Sequence, residues 1–133
     1  MNDLEKYRGD ETILVVDDDV DVSKFLTNLL HSLGYNVLVA ANGLEAVDIF
    51  KQNKEIIKVI LLDVVMPIKD GLETYKDIKE IQPDANIIFI SGFNHSPLNK
   101  IPNVRCLQKP CQPLSIAKSL REVLAENSSV PVA

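Results

Sequence analysis

The sequence of 133 residues has no tryptophan, two cysteines, five glycines and no excess of positive charge. Each shortage closes off a class of protein. Cys106 and Cys111 are too few for a disulfide framework or a zinc site, and they read as reduced thiols of a cytoplasmic protein. A net charge of -5 argues against direct nucleic-acid binding, which needs a basic face to neutralise phosphates. No apolar run approaches the roughly 20 residues of a membrane span. The polar, mixed-charge stretch Met1–Thr12 does not read as a signal peptide. A flavin carrier is disfavoured, since there is no tryptophan and no Ser/Thr/Gly phosphate loop after the first apolar run.

What is present is an ordinary globular composition, 46% hydrophobic and 25% charged, with room for one core. The chain is organised around Val59–Gly71, where a short apolar run ends abruptly in Asp63 and Asp70-Gly71 opens a helical pattern. Thr12–Val16, Tyr35–Ala40, Val59–Leu62, Asn86–Ile90 and Val104–Gln108 read as strands. Helical spacing follows in Val20–Leu33, around Leu44–Phe50, in Leu72–Ile81 and after Pro113; Phe25 and Tyr75 fall at that spacing and read as core. Between Phe93 and Asn103 the breakers Pro97 and Pro102 leave a fourth helix short or distorted. Five strands alternating with helices imply a doubly wound α/β fold, a flavodoxin-like five-stranded parallel sheet in the order 2-1-3-4-5. Residues 1–10 are expected to be a flexible arm, 11–126 the domain, and 127–133 a tail or the start of a linker.

In that order the first and third strands are neighbours, and Asp17, Asp18 and Asp63 share the pocket at their carboxyl ends. Three carboxylates so placed repel one another, so either some are protonated or a cation joins them. Hard oxygen ligands favour Mg2+ (or Mn2+), and the Val65 carbonyl is placed to join them. Ser91 and Lys109, at the ends of the fourth and fifth strands, add a hydroxyl and an ammonium to the same rim. A carboxylate nucleophile with cations to neutralise phosphoryl oxygens is a phosphoryl-transfer set. His31 and His95 lack a second ligand at metal spacing and read as surface residues.

Val15-Val16-Asp17-Asp18-Asp19, Leu62-Asp63-Val64-Val65-Met66-Pro67, Asp70-Gly71, Ile90-Ser91-Gly92 and Lys109-Pro110 occur in order. Over about Glu11–Glu126 the chain thereby resembles the receiver domain of two-component response regulators. The resemblance implies that Asp63 accepts a phosphoryl group from a histidine kinase, a phosphotransfer protein or a small-molecule donor. It implies that Asp17, Asp18, Asp63 and the Val65 carbonyl hold Mg2+, and that Ser91 and Lys109 bind phosphoryl oxygens. It further implies a switch in partner binding, for an output domain or a downstream protein, on the face made by the fourth helix, fifth strand and last helix. Dimers through that face are common in the family. The protein would be a phosphoprotein that modifies itself, and not a turnover enzyme.

Three departures bear on the switch. Cys106 stands where receivers usually carry Tyr or Phe, Cys111 replaces the aromatic common after Lys-Pro, and the Ser91–Lys109 interval is short. Phe93 is expected to supply the aromatic element that Cys106 lacks. Val65 and Phe93, each two residues past a site residue, are expected to shield a phospho-aspartate from water and slow its hydrolysis. Two alternatives compete: a phosphorylation-independent scaffold with the same fold, and an aspartyl-phosphate phosphatase using Asp17 and Asp19 as an Asp-x-Asp pair.

Overall fold

The computed structural model describes residues 3–66, 68–92 and 105–128. Five strands form one parallel sheet: β1 (Thr12–Val16), β2 (Asn36–Ala40), β3 (Ile57–Asp63), β4 (Ile87–Ser91) and β5 (Arg105–Gln108). Their order is β2-β1-β3-β4-β5, as the alternation of elements implied. Four α-helices are described: α1 (Val20–Ser32), α2 (Gly43–Asn53), α3 (Gly71–Ile81) and α4 (Pro113–Ser128). The short or distorted helix expected between Phe93 and Asn103 lies outside the described residues, as does His95.

The central strands are apolar throughout because both of their faces are covered. Ile13, Val15, Val59, Leu61, Ile88 and Ile90 point to one side, against α1 and α4. Leu14, Val16, Ile60, Leu62 and Phe89 point to the other, against α2 and α3. β3 begins two residues earlier than its apolar run, since exposed Lys58 interrupts the pattern. The register with β1 shifts there, Thr12 facing Ile57 and Ile13 facing Val59. An extra residue at the start of this central strand explains a stretch that alternation alone misses.

The helix starts follow from side-chain caps. Asp19 accepts from the Asp21 and Val22 amides and opens α1, and Asn42 accepts from the Glu45 amide and opens α2. Asp70 and Glu73 form a reciprocal capping box at α3. After α1, Gly34 takes φ +98°, a left-handed conformation open to glycine without steric cost. No helix among the described residues is long and apolar enough to cross a membrane.

The segment expected to be a flexible arm is docked. Asp3–Tyr7 forms a 3-10 helix, and Leu4 and Tyr7 pack against the core on the α1–α4 side. Their spacing of three places both on one side of a helix with three residues per turn. The Gly9 amide donates to the Leu33 carbonyl at 3.0 Å, and the Asn36 amide to the Glu11 carbonyl at 3.0 Å. Arg121 on α4 donates to the Glu11 carboxylate at 2.9 Å and to the Tyr35 hydroxyl at 3.2 Å. Because this network is only part-buried, Arg121→Met is expected to lower stability by about 1 kcal/mol, read as a urea midpoint shift. An unchanged midpoint would show that the apolar contacts hold the segment alone.

Phe25 departs from its expected place in the core. It is 42% exposed, on the flank of α1 that faces the turn after β5. Tyr75 packs partly against the other core face, its ring 5.4 Å from that of Phe89.

Candidate functional site

The carboxyl ends of β1 and β3 lie side by side, with Val16 facing Leu62. Asp17 follows directly on β1 and Asp63 is the last residue of β3. Asp17, Asp18 and Asp63 each offer a carboxylate oxygen, all within 4.8 Å of one another. Asp17 and Asp63 are buried and Asp18 is exposed. Lys109 reaches in from the turn after β5, its Nζ 3.2 Å from Asp17 Oδ2 and 3.5 Å from Asp63 Oδ1. The peptide bond from Lys109 to Pro110 is cis.

Local hydrogen bonds hold these groups in place. The Asp19 amide donates to Asp17 Oδ1 at 2.8 Å, and the Ser23 hydroxyl to the Asp17 carbonyl at 3.2 Å. Asp17 Oδ2 has the Lys109 charge beside it but no hydrogen bond of good geometry, although it is fully buried. A buried acceptor left in that state is costly. Ser91 ends β4, buried, and its carbonyl accepts from the Lys109 amide at 2.7 Å. Four strand ends thus bring five of the expected site residues to one rim.

The charges are strongly coupled. Burial, and then the Asp17 carboxylate, push the Asp63 carboxyl up to about 6, against the opposing pull of Lys109 and the Val65 amide. Burial alone would lower the Lys109 pKa, but the Asp17 and Asp63 carboxylates raise it above the ordinary value, so the ammonium stays charged. Two buried carboxylates and an exposed third exceed what one lysine neutralises. Hard oxygens at this spacing, one of them a buried acceptor without a hydrogen bond, fit a small divalent cation such as Mg2+.

The loop from β3 to α3 is closed by the Gly71 amide donating to the Val64 carbonyl at 2.9 Å. A Cβ on Gly71 would lie 2.4 Å from the Asp63 carbonyl oxygen, so only glycine permits this approach. Ile68 turns the loop back with φ +71°, a conformation rare for a β-branched residue, and is 77% exposed. The spacing of the sequence did not single out Gly71 or Ser23 as residues that position the site. The Asp-Gly pair before a helix was the available signal for the first; a serine inside an apolar helix face gives almost none for the second.

The remaining expectations separate. Val65 is 60% exposed at the rim, and Phe93 lies outside the described residues. Cys106 sits opposite Phe89 in the sheet register, exposed, while Cys111 is half-buried and packs against the core. Asp19, the second member of the Asp-x-Asp pair, caps α1. His31 is on the surface.

Comparison with known proteins agrees with this fold. The family model described as the response regulator receiver domain matches residues 13–121. The chain is 39% identical over 87 residues to the response regulator receiver protein CpdR of Brucella abortus (strain 2308), covering 65% of this chain and 71% of CpdR. It is 37% identical over 118 residues to the autoinducer 1 sensor kinase/phosphatase LuxN of Vibrio campbellii, covering 85% of this chain but only 13% of LuxN. A solved chain from the CheX-CheY-BeF3-Mg2+ complex of Borrelia burgdorferi superposes with a TM-score of 0.80 at 31% identity, covering 86% of this chain and 89% of that one. The receiver domain of the hybrid histidine kinase CckA superposes with a TM-score of 0.74 at 33% identity, covering 85% and 98% respectively.

Proposed function

The chain belongs to the response-regulator receiver domain family, and from that premise we propose that Asp63 is its phosphoryl acceptor. The observation that carries the reading is the Lys109 ammonium in contact with both Asp17 and Asp63 inside a cluster of three carboxylates. An Asp63 oxygen forms the new bond to phosphorus as the bond from phosphorus to the donor's leaving atom breaks. The attacking carboxylate must be ionised, and the charge of Lys109 favours that form. Lys109 then faces the phosphoryl oxygens, and the Ser91 hydroxyl at the neighbouring strand end is placed to donate to another. Asp17, Asp18, Asp63 and the Val65 carbonyl would hold Mg2+, which supplies charge neutralisation for the transferring group; Mn2+ offers the same chemistry.

The donor is a histidine kinase, a phosphotransfer protein or a small acyl phosphate, and the chain is a switch that modifies itself, not a turnover enzyme. The domain extends over residues 11–126. New negative charge at Asp63 reorders the surrounding loops and alters binding of a downstream protein, an output domain or a second copy on the side of β5 and α4. Intact mass after incubation with acetyl phosphate tests the acceptor. One added phosphoryl group is expected with Mg2+, none with chelator, and none in Asp63→Asn. Incorporation in that variant would place the acceptor elsewhere.

A further inference from the structure

Beside the carboxylate cluster, a cavity of about 560 Å³ opens between α1 and the turn that joins β5 to α4. Its walls are apolar: Val22, Phe25, Leu26, Pro110 and Cys111. Among the described residues, the charged Asp21 and Lys109 also line it, and the Lys109 ammonium is already paired with Asp17 and Asp63. Gly92 lies at the edge, and a Cβ there would meet nothing within 4 Å among the described residues.

These features select an occupant. The volume falls within the range of small-molecule sites, ~300–1,000 Å³. Among the described residues the one cation of the lining is held by Asp17 and Asp63, and apolar walls favour a ligand without net charge. Apolar walls with the face of Phe25 partly uncovered favour a flat ring that stacks or packs edge-on. The Cys111 thiol is pushed up by burial, so it remains protonated at neutral pH and behaves as part of the apolar wall. Because Lys109 lines both the cavity and the carboxylate cluster, a bound ring would limit where its side chain can move.

We propose that this cavity binds a compact, uncharged aromatic small molecule, and that its occupancy slows phosphoryl transfer through Lys109. The second half rests on Lys109 acting on the phosphoryl group; the first half does not. Cys111 supplies the readout, through addition of its sulfur to the alkene of a maleimide and of its proton to the adjacent carbon. The probes are N-phenylmaleimide and N-(2-hydroxyethyl)maleimide, which share one reactive group, with Cys106 as the exposed reference thiol. The Cys111-to-Cys106 labelling ratio, from peptide mass mapping, is expected to be about tenfold higher for the phenyl reagent, as about 1.4 kcal/mol of pocket affinity would give. The Cys111 rate should saturate with reagent concentration. Gly92→Leu, which fills the space, should abolish the preference while a cooperative urea transition reports an intact fold. Equal ratios for the two reagents, or a preference that survives Gly92→Leu, would overturn the site.

For the coupling, Cys106→Ser protein labelled at Cys111 with the phenyl reagent should take up phosphoryl groups from acetyl phosphate roughly fivefold more slowly than its unlabelled counterpart. Equal rates would overturn the coupling. No uptake by unlabelled protein would count against the coupling and the acceptor assignment together, while the labelling ratio still decides the cavity.

Discussion

Asp63→Asn is expected to be more stable than the wild type at pH 7 in the presence of chelator, by about 2 kcal/mol. The cause is the carboxyl group held up at about 6 by burial and by Asp17. A carboxyl whose folded pKa exceeds its ordinary value of 3.8 stabilises the fold fully below that value. As pH rises through 6 the folded state gives up its proton, and that contribution is lost. Asparagine keeps the shape and removes the charge, so the slope between pH 4 and 6 should flatten in the variant. A shift of about two units corresponds to roughly 3 kcal/mol, the pull of Lys109 already included, and solvent screening at this partly open site reduces it to about 2 kcal/mol. Urea denaturation from pH 4 to 8 with chelator measures both quantities. Identical slopes in the two proteins would mean that Asp63 is not the strained group. Adding Mg2+ should then stabilise the wild type more than the variant, because only the wild type has all three carboxylates to bind it.

The other large effect is expected at Gly71. A methyl group there would lie 2.4 Å from the Asp63 carbonyl oxygen and 2.7 Å from the Val64 Cα. Both neighbours are backbone, and the Gly71 amide is itself bonded to the Val64 carbonyl at 2.9 Å, so neither side can yield cheaply. Gly71→Ala should therefore cost about 3 kcal/mol, the upper part of the usual range for overpacking. It should also slow phosphoryl incorporation, since relief of the clash moves the end of β3 that carries Asp63. Gly92→Ala is the control: its Cβ meets nothing within 4 Å among the described residues, and its stability should stay near that of the wild type. Equal midpoints for the two alanine variants would show that the start of α3 does not depend on the close approach.

Much of the architecture was legible because the central strands are buried on both faces and so appear as unbroken apolar runs. Alternation of those runs with amphipathic helices left few topologies open. Asp17, Asp63 and Ser91 were legible for a related reason: each is the residue at which an apolar run stops. Asp17 directly follows β1, Asp63 and Ser91 close β3 and β4, and Lys109 directly follows β5. Where pattern failed, the cause was a competing local interaction. Lys58 sits at a register shift and hid the start of β3. Leu4 and Tyr7 are too few to announce an element, yet both pack on the core and turn an expected arm into a 3-10 helix.

The sequence by itself determined the order of elements, the parallel sheet and the carboxylate, hydroxyl and amine that converge on one rim, because these depend on hydrophobic period and on chain direction. Only the tertiary structure decided that Lys109 touches Asp17 and Asp63 together, that Phe25 faces a cavity instead of the core, and that Gly71 must be glycine. Those features depend on distances between residues far apart in the chain, set by how helices settle against the sheet, and no local pattern encodes them.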